Sequence, residues 1–151
     1  MSRAQQQFEN TVQDVLRDFG VDDTLVDGAI GLRYGEDEIW LQVEPTTAPM
    51  RTYQRNVQPF GFQLAVRSRI YTFRQKPADD VLERIEQAAE GLPSVVYIQD
   101  KQSLYAQLFL PDPTVDGLVV AIRSTSDLAQ LWLESKLFEV MRAPGDGGSS
   151  S

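Results

Sequence analysis

An α+β domain is the fold class this sequence predicts: one antiparallel or mixed twisted sheet of five or six strands with three helices, in the order α-β-β-β-α-β-β-(β)-α. Three observations predict it. Phe8, Val12, Val15, Leu16 and Phe19 recur at helical spacing near the start, with Glu9, Asp14 and Arg17 filling the other face. From Gly28 the period changes to strict alternation, with Ile30, Leu32 and Tyr34 facing one way and Arg33 the other. The stretch from Pro77 to Leu110 then joins an amphipathic segment (Val81, Leu82, Ile85, Ala88, Ala89) through Gly91-Leu92-Pro93 to two apolar runs, Val95 to Ile98 and Leu104 to Leu110. That order reads as helix, break, hairpin. Pro77 suits a first helical turn, where its missing N–H would be unpaired, and Gly91 suits the left-handed residue that closes a helix.

Each element has its own punctuation. Gly20 ends the first helix, and Val21 to Asp27 forms an acidic connection holding Asp22, Asp23 and Asp27. These carboxylates lack the alternating ligands and distal glutamate of a calcium-binding EF-hand loop, so they read as solvated loop acids. Gly35-Glu36-Asp37 is a turn, after which Ile39, Leu41 and Val43 continue the apolar face while Trp40 projects from the opposite one. Pro45 and Pro49 bracket a loop, and Met50 to Gln58 reads as an edge strand or irregular chain. Phe62, Leu64 and Val66 alternate with Gln63, Ala65 and Arg67, and the pattern runs on through Ile70 and Tyr71 to Phe73 as a long or bent strand.

After the hairpin, Pro111-Asp112-Pro113 and Asp116-Gly117 read as turns, and Leu118 to Ile122, rich in β-branched residues, as a further strand. Thr125-Ser126-Asp127 supplies capping side chains for a last helix through Leu128, Leu131, Trp132, Ser135 and Phe138. Leu131, Leu133 and Leu137 also fall at even spacing, which leaves a strand over 128–141 as the alternative. Residues 1–143 form one domain, and 144–151 is a small-residue tail expected to be disordered.

Composition narrows the function. The 151 residues contain 14 basic and 22 acidic side chains, a net charge of −8 that repels phosphate backbones and argues against nucleic acid as a partner. Arg67, Arg69, Arg74 and Lys76 form a local basic cluster that reads as a solvated strand edge. With no cysteine and no histidine, the chain has no thiol nucleophile, no disulfide and no Ser/His/Asp or Cys/His site within itself. No catalytic signature, cofactor motif or metal-ligand spacing is present, so the expectation is a protein that is not an enzyme and needs no cofactor or metal. Met1 to Gln7 has no apolar signal core and no run approaches the length of a membrane span, so no membrane association and a cytoplasmic location are expected.

The candidate partner-binding residues are Trp40, Tyr71, Tyr105 and Phe109, assigned to the alternate face of the sheet. Aromatic area on a sheet face suits an extended peptide whose side chains fill apolar pockets, and an acidic surround suits a segment that is apolar and basic. The plainer reading makes all four aromatics ordinary core. A second function class is a small nucleic-acid hydrolase, with Arg67, Arg69 and Arg74 on phosphate and Glu83 or Glu86 as base.

The segments QQQFENTVQDVLRDFGVDD and DGAIGLRYGEDEIWLQVEP resemble the opening of class I type III secretion chaperones and of related proteins such as the YbjN-type regulators. The small size, low pI and amphipathic last helix are also similar. The resemblance spans most of residues 5–140 as a pattern, without a diagnostic motif. It departs at AAEGLPSVV, where the family commonly has a leucine-asparagine stretch, and at the extra strand expected over Leu118 to Ile122. It implies a cytoplasmic homodimer that binds an extended effector segment on apolar surface and delivers it to a secretion apparatus, or an adaptor or regulator of the same fold. It implies no enzymatic activity and no cofactor.

Overall fold

A computed structural model of the chain describes residues 2–46, 61–89 and 94–142. The segment Met50 to Gln58, the break at Gly91-Leu92-Pro93 and the tail over 144–151 lie outside the described residues.

The first helix, α1 (Arg3–Phe19), begins where Ser2 accepts a hydrogen bond from the Gln5 amide and ends where Gly20 takes φ 106°. The left-handed glycine lets the Val21 amide reach back to the Leu16 carbonyl at 2.8 Å. Phe8, Val12 and Leu16, one turn apart, are the apolar residues it buries, with Glu9 beside them. Three strands follow, β1 (Ala29–Tyr34), β2 (Asp37–Pro45) and β3 (Phe62–Thr72), then α2 (Asp79–Ala88) and the hairpin of β4 (Ser94–Ile98) and β5 (Ser103–Leu110). Ala78 is the residue before α2, so Pro77 stands just outside the helix it was expected to open. The five strands make one sheet in the order β1-β2-β3-β5-β4, and every neighbouring pair is antiparallel.

The chain ends its described part in α3 (Val115–Leu131), a π-helical turn over Trp132–Lys136, and α4 (Leu137–Arg142). Leu131, Trp132 and Leu137 all keep right-handed helical angles, so the three pieces form one rod, and the strand alternative for 128–141 falls.

Leu118 to Ile122 is also helix, which corrects the expected sixth strand. Its hydrophobic run belongs to a helical stripe: Leu118, Ala121 and Ile122 are buried, Thr125, Ser126 and Ala129 continue the same face, and Val120 points out at 60% exposure. The cap is likewise eleven residues earlier than Thr125, the first of the expected capping residues. Thr114 accepts from the Gly117 amide at 3.0 Å, with Asp116 in the first turn where the helix dipole favours a carboxylate. Thr125 instead sits buried in mid-helix. Its hydroxyl lies 2.8 Å from the Ala121 carbonyl and 2.7 Å from the Ser68 hydroxyl of β3, and the neighbouring Ser126 donates to the Asp37 carboxylate of β2.

Among the described residues the α-helices lie on one side of the sheet. Phe8, Val12 and Leu16 of α1 and Leu118, Ala121 and Ile122 of α3 pack with Ile30, Ile39, Leu41, Val43, Leu64 and Val66. A second cluster joins Ile85 of α2, Ala129, Trp132, Leu137 and Val140 to Ile70, Val95, Leu104 and Ala106. These strand residues alternate with a second set, beginning at Trp40, that points away from the helices. Among the described residues, no helix covers that second face.

Candidate functional site

The open face is defined by register. Gly31 of β1 stands opposite Trp40, Trp40 opposite Arg67 of β3, Arg67 opposite Gln107 of β5, and Gln107 opposite Ser94 of β4. One row away, Gln42, Ala65 and Phe109 share this face. In the other direction Arg33 is paired with Glu38, and Arg69 with Tyr105. Strand alternation alone puts these residues together, because an antiparallel ladder keeps directly opposed side chains on the same side.

Three of the four sequence-predicted aromatics therefore do share a face. Trp40 and Phe109 are half-buried on it, whereas Tyr105 is only 6% exposed. Tyr71 does not join them. A register shift between Arg69 and Tyr71 inserts a bulge at Ile70, so that two consecutive side chains turn toward the helices. Tyr71 consequently pairs with Leu104 of the core and packs edge-on against Phe73 at 5.0 Å, at the rim of the helical side. Thr72 returns to the open face, where its hydroxyl lies 2.8 Å from that of Ser103.

A depression of about 460 Å³ opens over this face, lined by Gly31, Arg33, Glu38, Trp40, Lys101 and Tyr105 among others. Lys101 belongs to the short 3-10 turn Gln99–Lys101 between β4 and β5, and it reaches back across the sheet. Its Nζ stands 3.6 Å above the Trp40 ring centroid and 5.9 Å from that of Tyr105. The indole Nε1 donates to Gln42 Oε1 at 3.2 Å, which fixes the ring along the sheet. Gly31 leaves the β1 side of the ring clear, since a Cβ there would stand 3.5 Å from Trp40 Cε3.

Among the described residues the face carries six charged side chains: Arg33, Glu38, Glu44, Arg67, Arg69 and Lys101. Arg67 spans from Gln107, to which its Nε donates at 3.1 Å, to Glu44 at 2.9 Å, and Arg69 pairs with Glu38 at 3.0 Å. Arg33 and Lys101 have no carboxylate within ion-pair distance among the described residues. The immediate neighbourhood of Trp40 is thus positive on a chain of net charge −8, which reverses the expectation of an acidic surround. Burial, and then the nearby Arg67 charge, hold the Lys101 pKa below the usual lysine value. Burial raises the Tyr105 hydroxyl above its usual value, against the lowering pull of Arg69.

The residues of a hydrolase site are not brought together. Arg67 and Arg69 lie on the open face in ion pairs, whereas Glu83 and Glu86 are exposed on α2, in the helical layer across the sheet. The acidic connection over 21–27 is tied to α1 by Gln13, whose side chain donates to the Asp23 carbonyl at 2.8 Å and accepts from the Leu25 amide at 3.1 Å. Among the described residues no group of three or more acidic side chains is placed to hold a metal ion, and no helix is long and apolar enough to cross a membrane. Sequence reasoning missed Lys101 altogether. Its role depends on a turn between β4 and β5 coming to lie beside β2, two strands away in the sheet order, and no local pattern encodes that.

The chain matches no family model, no curated protein and no solved structure.

Proposed function

We propose that this chain is a non-catalytic binding protein that holds an extended segment of a partner protein against the open face of its sheet. The observation that carries the reading is the one-sided layering: the described helices pack on one face, and the other presents Phe109 and, lining a depression of about 460 Å³, Trp40. Large aromatic side chains on a free face supply contact area at low entropic cost, and a strand-like guest matches the spacing of alternate sheet residues. Among the described residues no strand pairs with the outer edges of β1 and β4, which could offer backbone groups to the same guest. Following the resemblance to secretion chaperones, the working form is a homodimer in the cytoplasm, and the guest is a segment of a protein to be secreted or regulated. Binding by shape and main-chain hydrogen bonds requires no catalytic group.

Light scattering on the purified chain, with a tagged pull-down from the native host, tests this. The expected result is a dimer that retains one defined protein, with retention lost in Trp40→Ala and Phe109→Ala variants that melt as folded proteins. A monomer that retains nothing, or retention indifferent to both substitutions, would sink the proposal.

A further inference from the structure

We propose that the depression over Trp40 receives a carboxylate, so that the segment held there carries an aspartate or glutamate side chain between apolar ones. This rests on reading the open face as a peptide-binding surface. The charge balance of the site carries it. Of the six charged side chains that the described residues place on the face, both carboxylates are engaged by Arg67 and Arg69, which leaves the two remaining cations, Arg33 and Lys101, lining the same depression. The Lys101 ammonium rests on the indole ring, and its three donors have no oxygen partner among the described residues. The nearby Arg67 charge adds to the desolvation that disfavours this ammonium, and no carboxylate among the described residues stands within ion-pair distance to offset it. An entering carboxylate would accept from Lys101 and Arg33 while its neighbours in the segment pack on Trp40, over the space Gly31 leaves open.

A peptide carboxylate fits better than a phosphate polymer. Charges are screened over about 8 Å at physiological ionic strength, so one acid in an apolar segment feels the local cations rather than the net −8 of the chain. A nucleic acid would bring many phosphates to two spare cations and meet the acidic remainder.

Isothermal titration calorimetry on the full chain provides the test, with three capped pentapeptides: Glu-Leu-Glu-Leu-Glu, Ser-Leu-Ser-Leu-Ser and Lys-Leu-Lys-Leu-Lys. The acidic peptide is expected to bind at least about tenfold more tightly than either other, as charge-assisted hydrogen bonds warrant. Arg33→Gln with Lys101→Met should erase that preference, and Arg123→Gln on the exposed side of α3 should leave it intact. Equal binding of all three peptides, or preference for the lysine peptide, would overturn the carboxylate site while leaving the peptide-binding face standing. Preference that survives the double substitution would overturn it too, as would an oligo(dT) of equal charge binding more tightly than the acidic peptide. Binding of no peptide up to millimolar concentration would overturn both the carboxylate site and the reading it rests on.

Discussion

Trp40 and Trp132 are the two tryptophans of the chain, and truncating them should have very different effects. Trp132 is 2% exposed in the cluster with Ile70, Phe73, Ile85 and Leu104, so Trp132→Ala removes a full core side chain and leaves a cavity. Such changes cost about 3–5 kcal/mol. Trp40 has solvent on one side, so its removal leaves no closed void. It forfeits an exposed cation–π contact with Lys101, worth about 0.5–1 kcal/mol, and a cross-strand contact of about 0.2–1 kcal/mol. The sum is about 1–2 kcal/mol. At about 2–4 °C per kcal/mol for a domain of this size, Trp40→Ala should lower the melting temperature by about 2–8 °C and Trp132→Ala by about 6–20 °C. Thermal melts followed by circular dichroism read both. If Trp40→Ala proved as damaging as Trp132→Ala, Trp40 would be a core residue and the open face would lose its anchor.

Other substitutions probe the fold and the site. Thr125→Val strips the partner from the buried Ser68 hydroxyl and should cost about 1–3 kcal/mol in urea unfolding, part of which adding Ser68→Ala should restore. Val120→Ala should leave stability unchanged or raise it by about 0.5 kcal/mol, because alanine favours an exposed helix position; a clear loss would fit a strand instead. Affinity for the acidic peptide should weaken as pH rises through the lowered Lys101 pKa, since the neutral amine no longer attracts a carboxylate. Lys101→Met should flatten that part of the calorimetric pH profile, although Tyr105, with its raised pKa, still titrates nearby.

Much of this architecture is legible in local patterns. The spacing of Phe8, Val12 and Leu16 and the alternation of Ile39, Leu41 and Val43 each report a single buried face, and Gly20 marks a boundary that only its positive φ requires. Leu118 to Ile122 misleads because a short apolar run has no period of its own. Its helical character is visible only when Thr125, Ser126 and Ala129 are read as the same stripe, and small polar residues do not look like core. Tyr71 misleads for a different reason. Alternation carried through β3 assigns it to the open face, and a one-residue bulge with no glycine or proline to announce it reverses the assignment. The site itself was half legible. Trp40, Tyr105 and Phe109 follow from strand parity, but the meeting of Lys101 with Trp40 and the distribution of ion pairs among Arg67, Arg69 and the two glutamates depend on strand order.

The most direct test of the open face is a photo-crosslinking amino acid placed at Gln42, beside Trp40, and separately at Arg123 on the exposed side of α3, in the native host. Mass spectrometry would then map the joined peptides. Crosslinks from position 42 that fall within one continuous segment of one protein, with none from position 123, are the expected result. Crosslinks from position 123 alone, or from neither position, would contradict a partner held on the open face.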